Sequence, residues 1–262
     1  MTRRASRGGR DRRDCLRIEC GVRSDQGRIR SSNEDACVAD LENALFVVAD
    51  GMGGHAAGEI ASRIAASTVE EVVAAGKRPG TDMESLLRLA VEKANMRVYE
   101  TQMRKPECRG MGSTLTALAF RDGQYYVAQV GDSRAYLFRD DILDQLTQDH
   151  SLVWPLFESG ILSKDDISRH PQKNLITRSI GTHPEVEADL KNGVAREGDI
   201  FLLCSDGLTD VLSDRDIRHI LAGNGQSTQQ MSELLVEAAN AGGGPDNVTV
   251  VVVNLAPAKS TG

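Results

Sequence analysis

Four aspartates stand where short apolar runs end. Asp50 closes Leu45–Ala49 and precedes Gly51. Asp132 follows Val127–Val130 and Gly131. Asp206 follows Phe201–Cys204 and precedes Gly207, and Asp246, beside Asn247, opens the run at Val248 after Gly242-Gly243-Gly244-Pro245. Glu34-Asp35 adds a fifth acidic position. Any one Asp-Gly at a strand end reads as a plain turn. Several carboxylates at the mouths of buried strands are costly unless each is paired with arginine, caps a turn, or shares a cation. A set made of oxygen donors alone, without a His/Cys cluster, suits a hard ion, Mg²⁺ or Mn²⁺, rather than zinc. Two such ions can position a water and lower its pKa so that it loses a proton, which is hydrolytic chemistry. An anionic substrate also needs a cation. Arg30, close to Glu34-Asp35, can clamp a phosphate bidentately or stand as a solvated loop charge.

Short strands are needed to bring these residues together. Apolar runs bounded by polar residues or glycine predict strands at Leu45–Ala49, Thr114–Phe120, Gln124–Val130, Ala135–Arg139, Ile200–Cys204 and Val248–Asn254. Asp122-Gly123 is a strong hairpin signal between two of them. Helical periodicity covers Ala57–Ala74, Met83–Met103 and Met231–Ala241, and a short helix is expected after Ser213, with Asp216 completing an imperfect capping box. Hairpin-linked strands in runs, with helix pairs between them, predict an α+β fold of antiparallel sheet flanked by helices. The segment 151–177, with Pro155, Gly160 and Pro171, reads as an insertion or lid over a site.

The chain has 262 residues, enough for one domain, which is expected over 16–255. The Arg-, Ser- and Gly-rich stretch 1–15 is expected to be a disordered basic tail, and 256–262 a flexible one. A net charge of −7 argues against nucleic acid as a partner. No apolar run spans a bilayer and the N-terminus lacks a secretory apolar stretch, so a cytoplasmic location is expected. Five cysteines without a C-x-x-C pair fit a reducing compartment; Cys204, after Phe201-Leu202-Leu203, reads as core.

These residues form a longer pattern. Asp25-Gln-Gly-Arg-Ile-Arg30-Ser-Ser-Asn33-Glu34-Asp35-Ala36 resembles the first motif of bacterial type-2C (PPM-type), metal-dependent Ser/Thr protein phosphatases. Val48-Ala-Asp50-Gly51-Met-Gly-Gly-His55-Ala-Ala-Gly-Glu59, Gly112-Ser-Thr-Leu, Val130-Gly-Asp132-Ser-Arg-Ala-Tyr136, Leu146-Thr-Gln-Asp-His150, Leu203-Cys-Ser-Asp206-Gly-Leu-Thr-Asp210 and Pro245-Asp246-Asn247-Val-Thr249 follow in the same order and spacing. The resemblance implies a central antiparallel β-sandwich between helical layers, α-β-β-α. It implies two Mn²⁺ or Mg²⁺ ions, with Asp50 bridging both and the Gly51 carbonyl on the first. Asp206, Asp246 and Glu34 would serve the second, and Asp132 a third, weaker ion. It assigns Asp35 to orienting the water, Arg30 to the phosphate and Asn247 to supporting Asp246. Its chemistry is in-line attack of an activated water on phosphoserine or phosphothreonine, without a phosphoenzyme. His55 is a candidate proton donor to the leaving oxygen, or a helix-start residue without chemistry. The segment 151–177 matches the family's flap, where His170 and Arg178 either contact a phosphopeptide or hold the flap in place. By the same analogy the partners are phosphoproteins, a Ser/Thr kinase and its targets, met by a monomer.

Other chemistries fit less well. Gly131-Asp132-Ser133 matches a serine-esterase block over three residues only, and no G-x-S-x-G elbow occurs. Gly51–Gly54 lacks the Lys-Ser/Thr of a P-loop. A two-metal nuclease would want a basic surface. A catalytically silent binding module would be expected to have lost the acidic ligands that this chain keeps.

Overall fold

The computed structural model describes residues 16–53, 57–163, 166, 170–173, 175–223 and 225–257. Eleven strands form among these residues: β1 (Leu16–Asp25), β2 (Asp35–Asp40), β3 (Leu45–Met52), β4 (Gly112–Ser113), β5 (Leu115–Arg121), β6 (Gln124–Val130), β7 (Arg134–Arg139), β8 (Ile142–Gln145), β9 (Asp189–Val194), β10 (Ile200–Cys204) and β11 (Val248–Pro257). The helices are α1 (Ala57–Gly76), α2 (Met83–Arg104), α3 (Trp154–Glu158), α4 (Asp206–Thr209), α5 (Asp214–Leu221) and α6 (Thr228–Ala241). One sheet has the order β1-β11-β10-β7-β8 and the other β2-β3-β5-β6-β9, with β4 paired to β3. All pairings within them are antiparallel.

Side-chain alternation along the central strands explains the layering. In β3, Phe46 and Val48 face the other sheet, while Leu45, Val47 and Ala49 face α1 and α2. In β10, Phe201 and Leu203 point inward and Leu202 and Cys204 pack under α5 and α6. Val251 and Val253 of β11 join the first set, Val250 and Val252 the second. Strands buried on both faces read as unbroken apolar runs, which is how they stand out in the sequence. The result is the α-β-β-α sandwich that the resemblance implied. Between the sheets, Phe201 meets Phe120 and Tyr125 edge-on at 5.1 Å each.

Local signals account for the element ends. Asp122 (φ 50°) and Gly123 (φ 73°) make the two-residue turn between β5 and β6, with Arg121 opposite Gln124. Ser213 and Asp216 form a full capping box on α5. A second box, Ser227 with Gln230, starts α6 at Thr228, ahead of the expected Met231. β11 runs to Pro257, beyond the boundary expected at 255, because Ala256 and Pro257 pair with Arg17 and Leu16. The expected tail 1–15 lies outside the described residues, as does 258–262. Among the described residues no helix is long and apolar enough to cross a membrane.

Candidate active site

Antiparallel pairing places strand ends and strand starts on one rim, and the acidic residues occupy that rim. Asp35 at the start of β2 pairs in register with Asp50 of β3. Cys204, at the end of β10, lies opposite Val250 of β11 and Arg134 of β7, so Asp206, Asp246 and Asp132 converge from the other sheet and its connections. Residues far apart in the chain thus become electrostatic neighbours. The Asp50 carboxyl is pushed well above the usual carboxylate range, first by burial and then by Asp35, Asp206, Asp132 and Asp246. Asp206 is raised in the same sense by burial, followed by Asp132, Asp210, Asp246 and Asp35. Burial lifts Asp132 to about 7, with Asp149 adding to it, and Asp35 to about 6. Glu34 also moves up, chiefly through burial.

Main-chain and hydroxyl contacts hold this cluster. Thr114 accepts from the Asp50 N–H (2.9 Å) through Oγ1, which also meets Ser133 Oγ at 2.6 Å, beside Asp132. Ser205 Oγ donates to Asp35 Oδ2 at 2.8 Å and accepts from the Thr249 N–H at 3.0 Å. Glu34 takes its place through its main chain: its carbonyl accepts from Gly51 N–H (3.2 Å) and Ser62 Oγ (2.6 Å). Arg30, exposed on the β1–β2 connection, donates to Asp246 Oδ2 at 2.7 Å, and this bond raises its pKa further.

Two acceptors in the cluster, Asp35 Oδ1 and Asp206 Oδ1, are buried without a hydrogen-bond partner. Orphaned anionic oxygens are expensive, and several of them on one rim suit a hard cation as counter-charge. The side chains do not yet enclose an ion: among the described residues no three His, Cys, Asp or Glu groups stand close enough to hold one.

The remaining expected residues take these places. Asn247 supports Asp246 only through its main-chain N–H, which donates to Asp246 Oδ1 at 2.8 Å. Its buried side chain instead staples the Arg30 connection, with Nδ2 donating to Gln26 O (2.9 Å) and Ser32 O (2.7 Å) and Oδ1 accepting from Glu34 N–H (2.8 Å). Arg178 pairs with Asp189 at 2.6 Å and donates to Glu187 O at 3.1 Å. His170 accepts from the Gln172 N–H at 3.2 Å within its own turn. His55 lies outside the described residues.

Three features had no signal in chain spacing. Buried Arg134 grips Asp149 through Nε and Nη2 (2.6–3.1 Å), anchoring the segment after β8 beside Asp132. Lys173 of the 151–177 segment pairs with Asp210, just beyond α4, at 2.8 Å. His150 contacts Gly131 and Asp189. The quoted motifs contain Arg134, Asp149, His150 and Asp210, but only the fold pairs them.

A two-sheet sandwich between helical layers, with an acidic rim and a flanking arginine, defines a metal-dependent phosphatase scaffold. The protein phosphatase 2C profile matches residues 28–239, and the chain belongs to that family. Among its relatives, the serine/threonine protein phosphatase PstP of Mycobacterium tuberculosis is 40% identical over 240 residues, covering 92% of this chain and 45% of PstP. The chain therefore spans about half the length of that relative. The serine/threonine phosphatase stp of Listeria monocytogenes is 36% identical over 88% of this chain and 93% of its own. The crystal structure of the PstP catalytic domain in complex with two manganese ions superposes with a TM-score of 0.83, at 38% identity, covering 92% of this chain and 99% of that one.

Proposed function

We propose that the chain is a protein serine/threonine phosphatase that uses two Mn²⁺ or Mg²⁺ ions. The observation that carries this reading is the single acidic rim, with partnerless oxygens on Asp35 and Asp206, on a type-2C fold. In this reading Asp50, the Gly51 carbonyl, Asp206, Asp246 and Glu34 would hold the pair, and Asp132 a third, weaker ion. When bound, the ions neutralise phosphoryl charge and acidify a water for in-line attack.

The chain's own residues supply the rest. Arg30 leaves its bond with Asp246 to take the phosphoryl oxygens, a trade favoured by the bidentate match of guanidinium to phosphate. Asp35, oriented by Ser205 at 2.8 Å, accepts a hydrogen bond from the attacking water through its free oxygen. His55 delivers a proton to the departing serine or threonine oxygen. The segment 151–177 selects among phosphoproteins, and the substrates are those of a Ser/Thr kinase acting in the cytoplasm, met by a monomer.

Purified protein with Mn²⁺ is expected to release phosphate from a phosphothreonine peptide and from p-nitrophenyl phosphate, and EDTA to abolish both. Hydrolysis that survives excess EDTA would refute the reading, as would its absence at saturating Mn²⁺.

A further inference from the structure

The run Leu146-Thr147-Gln148-Asp149-His150 ends in a buried histidine whose polar atoms all have fixed neighbours. Its main-chain N–H donates to Gly131 O at 2.9 Å, and its ring Nδ1 accepts the Gly131 N–H at 3.0 Å. One residue thus holds both polar atoms of Gly131, immediately before Asp132. Gly131 has φ +104°, and a Cβ there would lie 2.7 Å from Thr114, so this turn admits no side chain. Because Nδ1 accepts, the proton of the neutral ring sits on Nε2. That atom faces Asp189 Oδ2 at 3.2 Å, with Arg178 Nη1 at 3.1 Å and Arg178 itself bound to Asp189. The His150 carbonyl accepts from Thr177 through N–H (2.7 Å) and Oγ1 (3.0 Å).

One edge of the imidazole therefore grips the Asp132 turn. The other edge faces Asp189 of β9 and Arg178, the residue that follows the 151–177 segment, while the carbonyl holds Thr177 at the segment's end. A cavity of about 390 Å³ is lined by Trp154 and Phe157 of that segment together with Gln145 and Asp189. We propose that His150 is a positioning residue that couples the 151–177 segment to the turn carrying Asp132, so that contacts made by a phosphoprotein on the segment are transmitted to the Asp132 carboxylate. The proposal rests on the phosphatase reading of the rim.

Two substitutions cut the link at opposite ends. His150→Asn keeps an acceptor at the Nδ1 position but is too short to reach Asp189. His150→Gln reaches toward Asp189 but offers no acceptor at Nδ1. Amide exchange followed by NMR, which needs no turnover, is the first readout. In His150→Gln the Gly131 amide is expected to exchange about tenfold faster, while in His150→Asn, which keeps the acceptor, it stays near the wild-type rate; the Thr177 amide, held by the main-chain carbonyl, changes little in either. The second readout is kinetic, with Mn²⁺. His150→Asn is expected to raise KM for a phosphothreonine peptide about fivefold, the worth of one ordinary hydrogen bond, with a smaller effect on p-nitrophenyl phosphate. His150→Gln is expected to lower kcat on both substrates by a similar factor. Equal changes at Gly131 in both variants, accompanied by faster exchange of the β10 core amides of Phe201–Leu203, would show a merely structural histidine and overturn the proposal. Wild-type exchange at Gly131 in His150→Gln would overturn it as well. Wild-type protein without Mn²⁺-dependent turnover would sink the phosphatase reading instead, leaving the exchange result to be judged alone.

Discussion

The residues of the rim are costly to the fold that carries them. Burial and crowding raise the Asp206 carboxyl far above its usual range, chiefly through desolvation and then Asp132. Asp206→Asn removes that repulsion. In EDTA the variant is expected to melt at least about 2 °C above the parent, since about 1 kcal/mol moves a domain of this size by that much or more. With Mn²⁺ it should gain less stability than the parent and lose turnover by at least about a thousandfold. Calorimetry with and without Mn²⁺ checks this, and an Asp206→Asn protein less stable than its parent in EDTA would contradict it. At this scale the sequence was readable where chemistry sits at a strand end: Asp50, Asp132, Asp206 and Asp246 each follow or precede an apolar run. It was not readable where a side chain acts across the fold. Asn247 stands next to Asp246 in the chain, yet its amide reaches Gln26 and Ser32, 221 and 215 positions away.

Among the elements, α4 and the start of β11 must approach closely to bring Asp206 near Asp246. Gly207 makes this possible: a Cβ there would lie 1.9 Å from the Asn247 carbonyl oxygen, which is backbone and cannot turn aside. Gly207→Ala is expected to push α4 away while leaving the sandwich intact. The Mn²⁺ concentration giving half-maximal activity should rise about tenfold, the effect of about 1.4 kcal/mol lost from ion binding. A Mn²⁺ titration with circular dichroism as the control measures it, and an unchanged midpoint would argue against this packing role. Strands buried on both faces, such as β3, β10 and β11, were legible as apolar runs, and α1 and α2 as periodic stripes. β2 and β9 were not. β2 is half-buried along most of its length, and β9 forms a sheet edge with Asp189, Lys191 and Asn192 exposed, so neither carries a clean alternation.

Across the whole molecule, the rim sets how stability depends on pH. Folded Asp132 keeps its proton up to about pH 7, against an ordinary 3.8, and burial and crowding push Asp50 and Asp206 in the same direction. Between the two values the folded chain holds more protons than the unfolded one, so stability falls as pH rises. Carboxylates held low by partners, Asp25, Asp40 and Asp189, are ionised in both states above pH 6 and do not oppose this. Buried His150, with a lowered pKa, opposes it only below about 6.5. In EDTA the melting temperature is therefore expected to drop by several degrees from pH 5.5 to 7. Saturating Mn²⁺ should flatten or reverse the slope, because cations bind the ionised carboxylates. A melting temperature that rises over that interval in EDTA would be inconsistent with a buried acidic cluster. The most direct measurement is an anomalous difference map at the manganese edge from a crystal soaked in Mn²⁺. The account predicts two strong peaks sharing Asp50, one of them also against Asp206 and Asp246. A map without density there, or with manganese only at surface carboxylates away from Asp50, would contradict it.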